Sequence, residues 1–270
     1  MGIYHPFAFL RCGIDNWSLI LRLTRRRIQS RYRGSMLGSL WTLLQPLLLL
    51  GVYTFVFANV LKSKWALPNG EQAPFALVIY AGMMLFSVFA DSVNEAPTLM
   101  LANQVFIKQI RFPVEVLPWV SMLSSLFTFA LNLAMLLLFY VLLRGAPPVT
   151  AWALPLLLPG VILLTLGFTW FLSSAGLFLR DLSQITGVAT TALLFTSPIF
   201  YSAAHVPEAF RPFFNLNPFA TIIESAHRVL FYGTLPDAAA LGIVTAFGFV
   251  AAWLGYIAFM RMKKGFADVL

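Results

Sequence analysis

Between Ser35 and Leu61 the chain carries no charged side chain, and five more such stretches follow: Gln72–Ala90, Val116–Leu143, Gly145–Leu179, Leu182–Pro207 and Ala238–Met260. A helix rises about 1.5 Å per residue, so crossing a hydrocarbon core of about 30 Å takes about 20 apolar residues. All but Gln72–Ala90 exceed that length, and Gln72–Ala90 falls just short. Lipid offers no partner to backbone N–H and C=O groups, which leaves helices and closed barrels as the only spanning structures. A barrel needs short segments of alternating polarity, whereas Leu47–Leu50 and Leu136–Phe139 are apolar on every face. The expected fold is therefore an all-α polytopic membrane protein with six transmembrane helices. With 60% hydrophobic and 10% charged residues, little chain remains for a soluble domain.

The charges that do occur are segregated. Seven arginines precede the first span: Arg11, Arg22, Arg25, Arg26, Arg27, Arg31 and Arg33. With that end cytoplasmic, 13 basic residues fall inside and 5 outside, in keeping with the positive-inside rule. Six spans then return the chain so that both termini are cytoplasmic. A net charge of +8 distributed in this way points to a membrane surface rather than to nucleic acid. Cys12 is the only cysteine, which excludes an intrachain disulfide. The basic run follows Phe7–Leu10 instead of preceding it, so no cleavable signal is expected and the first span serves as the insertion signal.

Residues 1–34 form one unit and residues 35–270 another. In the first, Trp17, Ile20, Leu21, Thr24, Ile28 and Tyr32 fall on one face of a helical projection, opposite Arg22, Arg26 and Arg33. Such a helix lies in the interface, apolar side in lipid, with Arg25, Arg26, Arg27, Arg31 and Arg33 as the basic residues facing headgroups. The alternative is a positive-inside anchor of incidental amphipathicity. Arg31 breaks the pattern by falling near the apolar face. Span 1 carries Gln45–Pro46, and proline within a spanning helix requires neighbours to satisfy the freed carbonyl. Span 2 is expected over about Pro74–Phe89, with Asp91 and Glu95 beyond it as capping or interfacial groups, and residues 96–115 in the cytoplasm. From 205 to 233 the chain is aromatic, yet its uncharged run Pro212–Ile223 is too short to cross. Asn217–Pro218 breaks it in two. A re-entrant hairpin between spans 5 and 6 fits this pattern, and so does a surface amphipathic loop.

Several chemistries are missing. No G-x-x-x-x-G-K-[ST] occurs, so the chain does not bind ATP through a P-loop. Neither H-E-x-x-H nor a cysteine cluster is present, and His5, His205 and His227 are scattered. No catalytic, cofactor-binding or metal site is expected. The six expected cores hold no charge to mark an ion pathway. What remains is aromatic surface: Trp41, Tyr53, Phe55, Phe57, Phe195, Phe200, Tyr201, Phe213, Phe214 and Phe219 in spans 1 and 5 and the hairpin. Aromatic faces can stack on sugar rings without fixed charge, although most membrane aromatics face lipid or form interfacial belts.

In order and spacing, the run RYRGSMLGSLW at 31–41 with Gln45–Pro46, the stretch from Asn103 to Lys108 with Phe112–Pro113, Phe178–Leu182, Ser197–Tyr201, and Asn217–Pro218 ahead of Arg228 and Tyr232–Gly233 resemble the permease subunit of a type-2 ABC exporter. The resemblance covers essentially the whole chain and is to the branch that moves O-antigen, capsular polysaccharide and teichoic acid. It implies a homodimer on two copies of an ABC nucleotide-binding subunit, which would bind the ATP and magnesium that this chain does not. It further implies a coupling helix about 102–112, with Asn103, Phe106, Ile107, Lys108 and Arg111 against the ATPase. Trp41, Tyr53, Phe57, Phe195, Phe200 and Tyr201 would line the conduit, and Phe213, Phe214, Asn217 and Pro218 would gate its outer exit. The short loop at about Lys62–Ala73 favours the polysaccharide branch over drug exporters. The expected role is thus a multi-pass permease of the bacterial inner membrane that moves a lipid-linked polysaccharide, O-antigen first. A permease for teichoic acid, capsule, a small drug or lipid, or an integral membrane enzyme of lipid-linked sugars, are the competing readings. If ring area alone matters, Tyr→Phe should be nearly silent at Tyr53 and Tyr201.

Overall fold

The charge-free stretches fold as helices, which keep their backbone hydrogen bonds inside each segment. The computed structural model describes residues 4–31, 41–60, 62, 65–67, 70, 72–107, 112–203 and 206–266. Its helices are α1 (Ala8–Asp15), α2 (Trp17–Arg31), α3 (Trp41–Tyr53), α4 (Phe75–Ala102), α5 (Gln104–Ile107), α6 (Leu117–Arg144), α7 (Leu158–Phe178), α8 (Leu182–Phe195), α9 (Arg211–Leu216), α10 (Pro218–His227) and α11 (Ala238–Met262). Among the described residues, four stretches are long and apolar enough to cross a membrane: Phe75–Ala102, Val114–Arg144, Val149–Phe178 and Ala238–Gly265. Pro46–Phe57 and Leu182–Phe195 are shorter apolar helices. One small addition to the helical expectation is an antiparallel ribbon, β1 (Trp65–Ala66) with β2 (Gln72–Ala73), in which Trp65 opposes Ala73.

Polar side chains and glycines set how the helices pair. Tyr80 donates to Asn132 Oδ1 at 3.2 Å, Ser92 and Ser125 share a hydrogen bond at 3.0 Å, and Ser121 donates to Glu95 Oε2 at 2.8 Å. These three contacts run α4 and α6 antiparallel. Phe89 meets Phe168 and Gly176 abuts Pro97, so α7 lies parallel to α4. Gly160 faces Val244 and Gly167 faces Ala251, so α11 is parallel to α7. Small residues allow such close backbone approach. A Cβ on Gly176 would stand 2.3 Å from the Pro97 carbonyl oxygen, and one on Gly255 would stand 2.1 Å from that of Gly167. Outward faces carry exposed Leu138, Leu142, Ile243 and Phe247, as contact with lipid requires.

One end of the bundle gathers both terminal regions. Phe9 of α1 is buried between Trp170 and Phe249, at 5.9 and 5.5 Å between ring centroids. Trp253 Nε1 donates to the Tyr4 carbonyl at 3.1 Å, and Lys263 Nζ reaches Glu115 Oε2 at 2.6 Å. Burial there pushes the Cys12 thiol up to about 12, so it stays protonated and inert. The opposite end holds the ribbon, the turn Val149–Leu157 and the chain before α11.

Two expectations are corrected. Over residues 17–28 the apolar stripe does lie on one helix, α2, but it does not face outward throughout: Ile20 and Thr24 are buried while Trp17 and Leu21 stay exposed. The stripe therefore divides between protein and the outside. Second, α4 does not stop near Phe89 but runs on to Ala102, through Asp91, Glu95 and Pro97. Residues 96–102 thus belong to a helix, and Asp91 and Glu95 cap nothing. The helix continues because other helices supply partners: Thr190 donates to Asn94 Oδ1 at 2.8 Å, beside the Ser121–Glu95 bond.

Gly176→Ala should force α4 and α7 apart, at an overpacking cost of about 1–3 kcal/mol. In detergent the variant should melt clearly below the wild type, while Gly242→Ala, where a Cβ meets nothing within 4 Å, should not. Equal melting temperatures would contradict the packing described.

Candidate functional site

The aromatic residues expected to line a conduit do meet. Phe57 stacks on Phe200 at 5.7 Å and Phe195 stacks on Phe200 at 5.5 Å. Tyr53 sits edge-on to Phe200 at 6.0 Å and beside Phe57 at 6.4 Å. Two helices distant in sequence, α3 with its π-helical continuation Thr54–Val60 and α8 with the turn after it, thereby form one run of rings. Each end opens into a cavity. Trp41 and Tyr53 line one of about 520 Å³, together with Tyr80, Asp91 and Asn132. Phe195 and Tyr201 line another of about 690 Å³, shared with Phe214, Asn217 and Pro218. Residues expected to line a conduit and residues expected to gate it thus share the second cavity. The side chain of Phe213 lies outside the described residues. The Tyr201 hydroxyl donates to the Phe195 carbonyl at 3.0 Å, so it has work beyond ring area and the expected silence of Tyr→Phe does not extend to its stability.

Between α8 and α11 the chain makes two helices that meet at a deep corner. Asn217 caps α10, its Oδ1 accepting from Phe219 N at 2.9 Å, while its Nδ2 donates to Ser197 Oγ at 3.0 Å. Pro218 stands in the first turn of α10, where its missing N–H costs nothing. Phe219 packs on Phe86 and Phe89 at 5.2 and 4.8 Å, near the middle of α4. From there α10 climbs antiparallel to α4. At its far end the His227 ring reaches the Val78 carbonyl at 3.1 Å and Trp65 at 5.2 Å. Val78 and Phe89 are separated by about 16 Å along a helix. The π-helical turn Arg228–Tyr232 ends at Gly233, whose φ of 67° is left-handed, and Trp65 Nε1 donates to the Tyr232 hydroxyl at 3.3 Å.

At the other end of α4, Asn103 closes the helix with Nδ2 donating to the Leu99 carbonyl at 2.8 Å. Of the segment expected to couple, the described residues Gln104–Ile107 are helical, and Phe112 stacks on Phe106 at 4.7 Å. Leu101 and Val105 stand exposed there; Val105 went unremarked in the sequence because an apolar residue in an apolar setting gives no signal. The Ile107 side chain, Lys108 and Arg111 lie outside the described residues.

The basic residues of α2 separate by role. Arg25 and Arg26 are exposed, as headgroup contact needs, while Arg33 lies outside the described residues. Arg27 instead pairs with Glu95, which also accepts from Ser121, so one carboxylate joins α2, α4 and α6. Arg31 turns toward α6 and donates to Thr128 Oγ1 at 3.3 Å, which accounts for its place near the apolar face. Asp91 and Glu95 lie within α4, past the span expected over Pro74–Phe89 and on the side that meets α2.

Residues 18–232 match the family of ABC-2 type transporter membrane proteins. The chain is 27% identical over 255 residues to the O-antigen export system permease protein RfbA of Klebsiella pneumoniae, covering 94% of this chain and 95% of the relative. To the protein of the same name from Myxococcus xanthus it is 28% identical over 256 residues, covering 93% and 94%. To the polysialic acid transport protein KpsM of Escherichia coli it is 20% identical over 250 residues, covering 88% and 91%.

Removing Glu95 leaves a guanidinium without its acceptor. Glu95→Gln and Arg27→Gln should each lower stability by about 1–2 kcal/mol, the pair being partly exposed. In a double-mutant cycle read from thermal melts, the double variant should lose little more than either single one. Strict additivity would dissolve the pair.

Proposed function

We propose that this chain, which belongs to the ABC-2 type transporter family, is the permease that carries a lipid-linked polysaccharide, an O-antigen in the first instance, across the bacterial inner membrane. The observation that carries this reading is the run of Tyr53, Phe57, Phe200 and Phe195 between two cavities. A polymer of neutral or variably charged sugars needs a surface that holds rings without holding any one ring tightly. Aromatic faces supply that, because each contact is weak and nearly the same from one sugar to the next. The O-antigen permeases of Klebsiella and Myxococcus support the polymer class, and the Escherichia coli polysialic acid relative keeps a capsular polymer as the second reading.

The chain is a transport subunit, and its family implies an ABC ATPase as partner. Two copies of each subunit make the working assembly in our reading. The exposed Phe55 of the α3 continuation and Ile185, Val188 and Phe195 of α8 supply apolar surface for the second permease. Six crossings follow if the two shorter apolar helices also span. Trp41–Val60 is continuously helical and reaches about 30 Å, and α8 completes the count. Both termini are then cytoplasmic. The α9–α10 corner enters from the outer face and turns at Asn217, and as a re-entrant pair it closes the exit between substrates. Unwound backbone at that depth requires protein contacts or a wet cavity, and the 690 Å³ cavity is consistent with this. The tip at Leu101 and Val105, with Phe106 held by Phe112, receives the ATPase and passes its motion into α4.

Deleting the gene should trap a glycolipid on the cytoplasmic side. Complementation with Phe200→Leu should restore export only partly, with Tyr53→Phe near wild type. Tyr201→Phe should export but melt lower, by about 1 kcal/mol of lost hydrogen bonding. No trapped glycolipid would refute the cargo assignment. Val105→Asp should leave the protein inserted and folded yet abolish co-purification of the ATPase. Undiminished co-purification and export would move the coupling surface elsewhere.

A further inference from the structure

The cavity of about 520 Å³ beside α3 has a charge pattern that the aromatic run does not use. Arg31, from the end of α2, stands at its margin and donates to Thr128. Further along α4 lies Asp91, the one acidic side chain among the described residues lining it. The cavity leaves this carboxyl accessible in the body of a spanning helix, and no described side chain hydrogen-bonds to it. Deeper still, Asn132 uses its amide oxygen to accept from Tyr80, so its NH2 group is the donor it has to offer. Trp41 and Tyr53 furnish the aromatic wall. Tyr80 and Asp91 are separated by about 16 Å along α4.

A carboxylate is an acceptor only and calls for donors, whereas a guanidinium calls for an anion. A ligand that satisfies both carries its anionic group at one end and hydroxyls beyond it. Acidic, amide and aromatic side chains arranged in this way suit a pyranose. A bare glycerophosphate would meet Arg31 but offer nothing flat to the two rings. The volume falls within the roughly 300–1,000 Å³ of small-molecule pockets and is too small for a polymer. An ionisable side chain in an apolar helix is a functional candidate, and among the described residues Asp91 has Arg31 and Glu95 as nearby charges but no hydrogen-bond donor of its own.

We infer that this cavity is a head-group subsite: it takes the phosphate and first sugar of a lipid-linked glycan, with Arg31 on the phosphate, Asp91 and Asn132 on sugar hydroxyls, and Trp41 or Tyr53 against the ring. The inference rests on the export reading above and deepens it. Tyr53 belongs to both the cavity and the aromatic run, so a head seated here delivers the following sugars directly to Phe200. The lipid-proximal end is therefore recognised chemically, while the rest of the polymer is only guided.

The test is equilibrium binding to the full-length permease in phosphatidylethanolamine nanodiscs. The probe is farnesyl diphospho-N-acetylglucosamine, compared with farnesyl diphosphate and with phosphatidylglycerol as competitor. The wild type should prefer the sugar-bearing probe by about tenfold, the scale of one net hydrogen bond to a sugar hydroxyl. Asp91→Asn should bring that preference below about twofold, and Arg31→Gln should weaken both diphosphates alike. Should Asp91→Asn fail to fold, Trp41→Leu is expected to erase the same preference. A full preference retained by the folded variant overturns the subsite, as does displacement of the probe by phosphatidylglycerol as effective as by unlabelled probe. If the wild type binds no sugar-bearing lipid while the gene deletion still traps a glycolipid, the subsite alone is wrong. If neither is seen, the export reading falls with it.

Discussion

Glu95 lies in a helix that is otherwise almost wholly apolar, and a carboxylate in such a place must find donors or unfold its surroundings. It finds two: Arg27 from α2 and Ser121 from α6. The amphipathic N-terminal helix is thereby fastened to the bundle rather than simply resting on lipid. With α2 fixed, Arg31 comes to the margin of the inner cavity and meets Thr128. With α4 allowed to continue past its charges, Leu101, Asn103 and α5 are carried to the far end of the same rod that bears Phe86 and Phe89 under the α10 corner. One ionic contact thus relates the basic surface, the tip at Leu101 and Val105 and the helix between them.

The sequence revealed most where the physics is local. Long apolar runs give helices because the backbone has no other partner. Asn217–Pro218 could be read as a break because a cap and a first-turn proline act within three residues, and Asn217 does cap α10. The anomaly of Arg31 was visible too, but its explanation was not, since Thr128 is 97 residues away. The end of α4 was misjudged for the same reason: charge usually ends a span, and the partner that cancels the rule is 68 residues distant. Ring pairs such as Phe57 with Phe200 were guessed as a class but not individually, because an aromatic facing lipid and one facing a neighbour look alike in sequence. The Tyr201 hydroxyl illustrates the limit, its partner being a backbone carbonyl that composition cannot announce.

Packing is uneven across the bundle. Around α7, glycines let α4 and α11 approach until a single added methyl would strike backbone. On α3 and α8 the pattern reverses: Leu48, Val52, Ile185 and Val188 remain exposed. The interlocked helices suit a frame that resists deformation, whereas the other two keep apolar surface exposed, which the proposed assembly assigns to a second copy and to cargo. Buried, hydrogen-bonded α10 belongs with the frame through Phe219 and His227, while α9, with exposed Leu216, does not.

α8 comprises only Leu182–Phe195, 14 residues, or about 21 Å against a hydrocarbon core of about 30 Å. Where it stops, Ser197 is already bonded to Asn217, and a cavity of about 690 Å³ begins. With α8 as a crossing in the proposed six-span arrangement, about a third of the hydrocarbon depth along it is met by the turn and the cavity rather than by helix. The free-energy barrier to a hydrated solute depends on how long the low-dielectric stretch is, and rises with it. In the export reading proposed above, a helix that ends early thus lowers that barrier for a polar chain before any energy from ATP is applied.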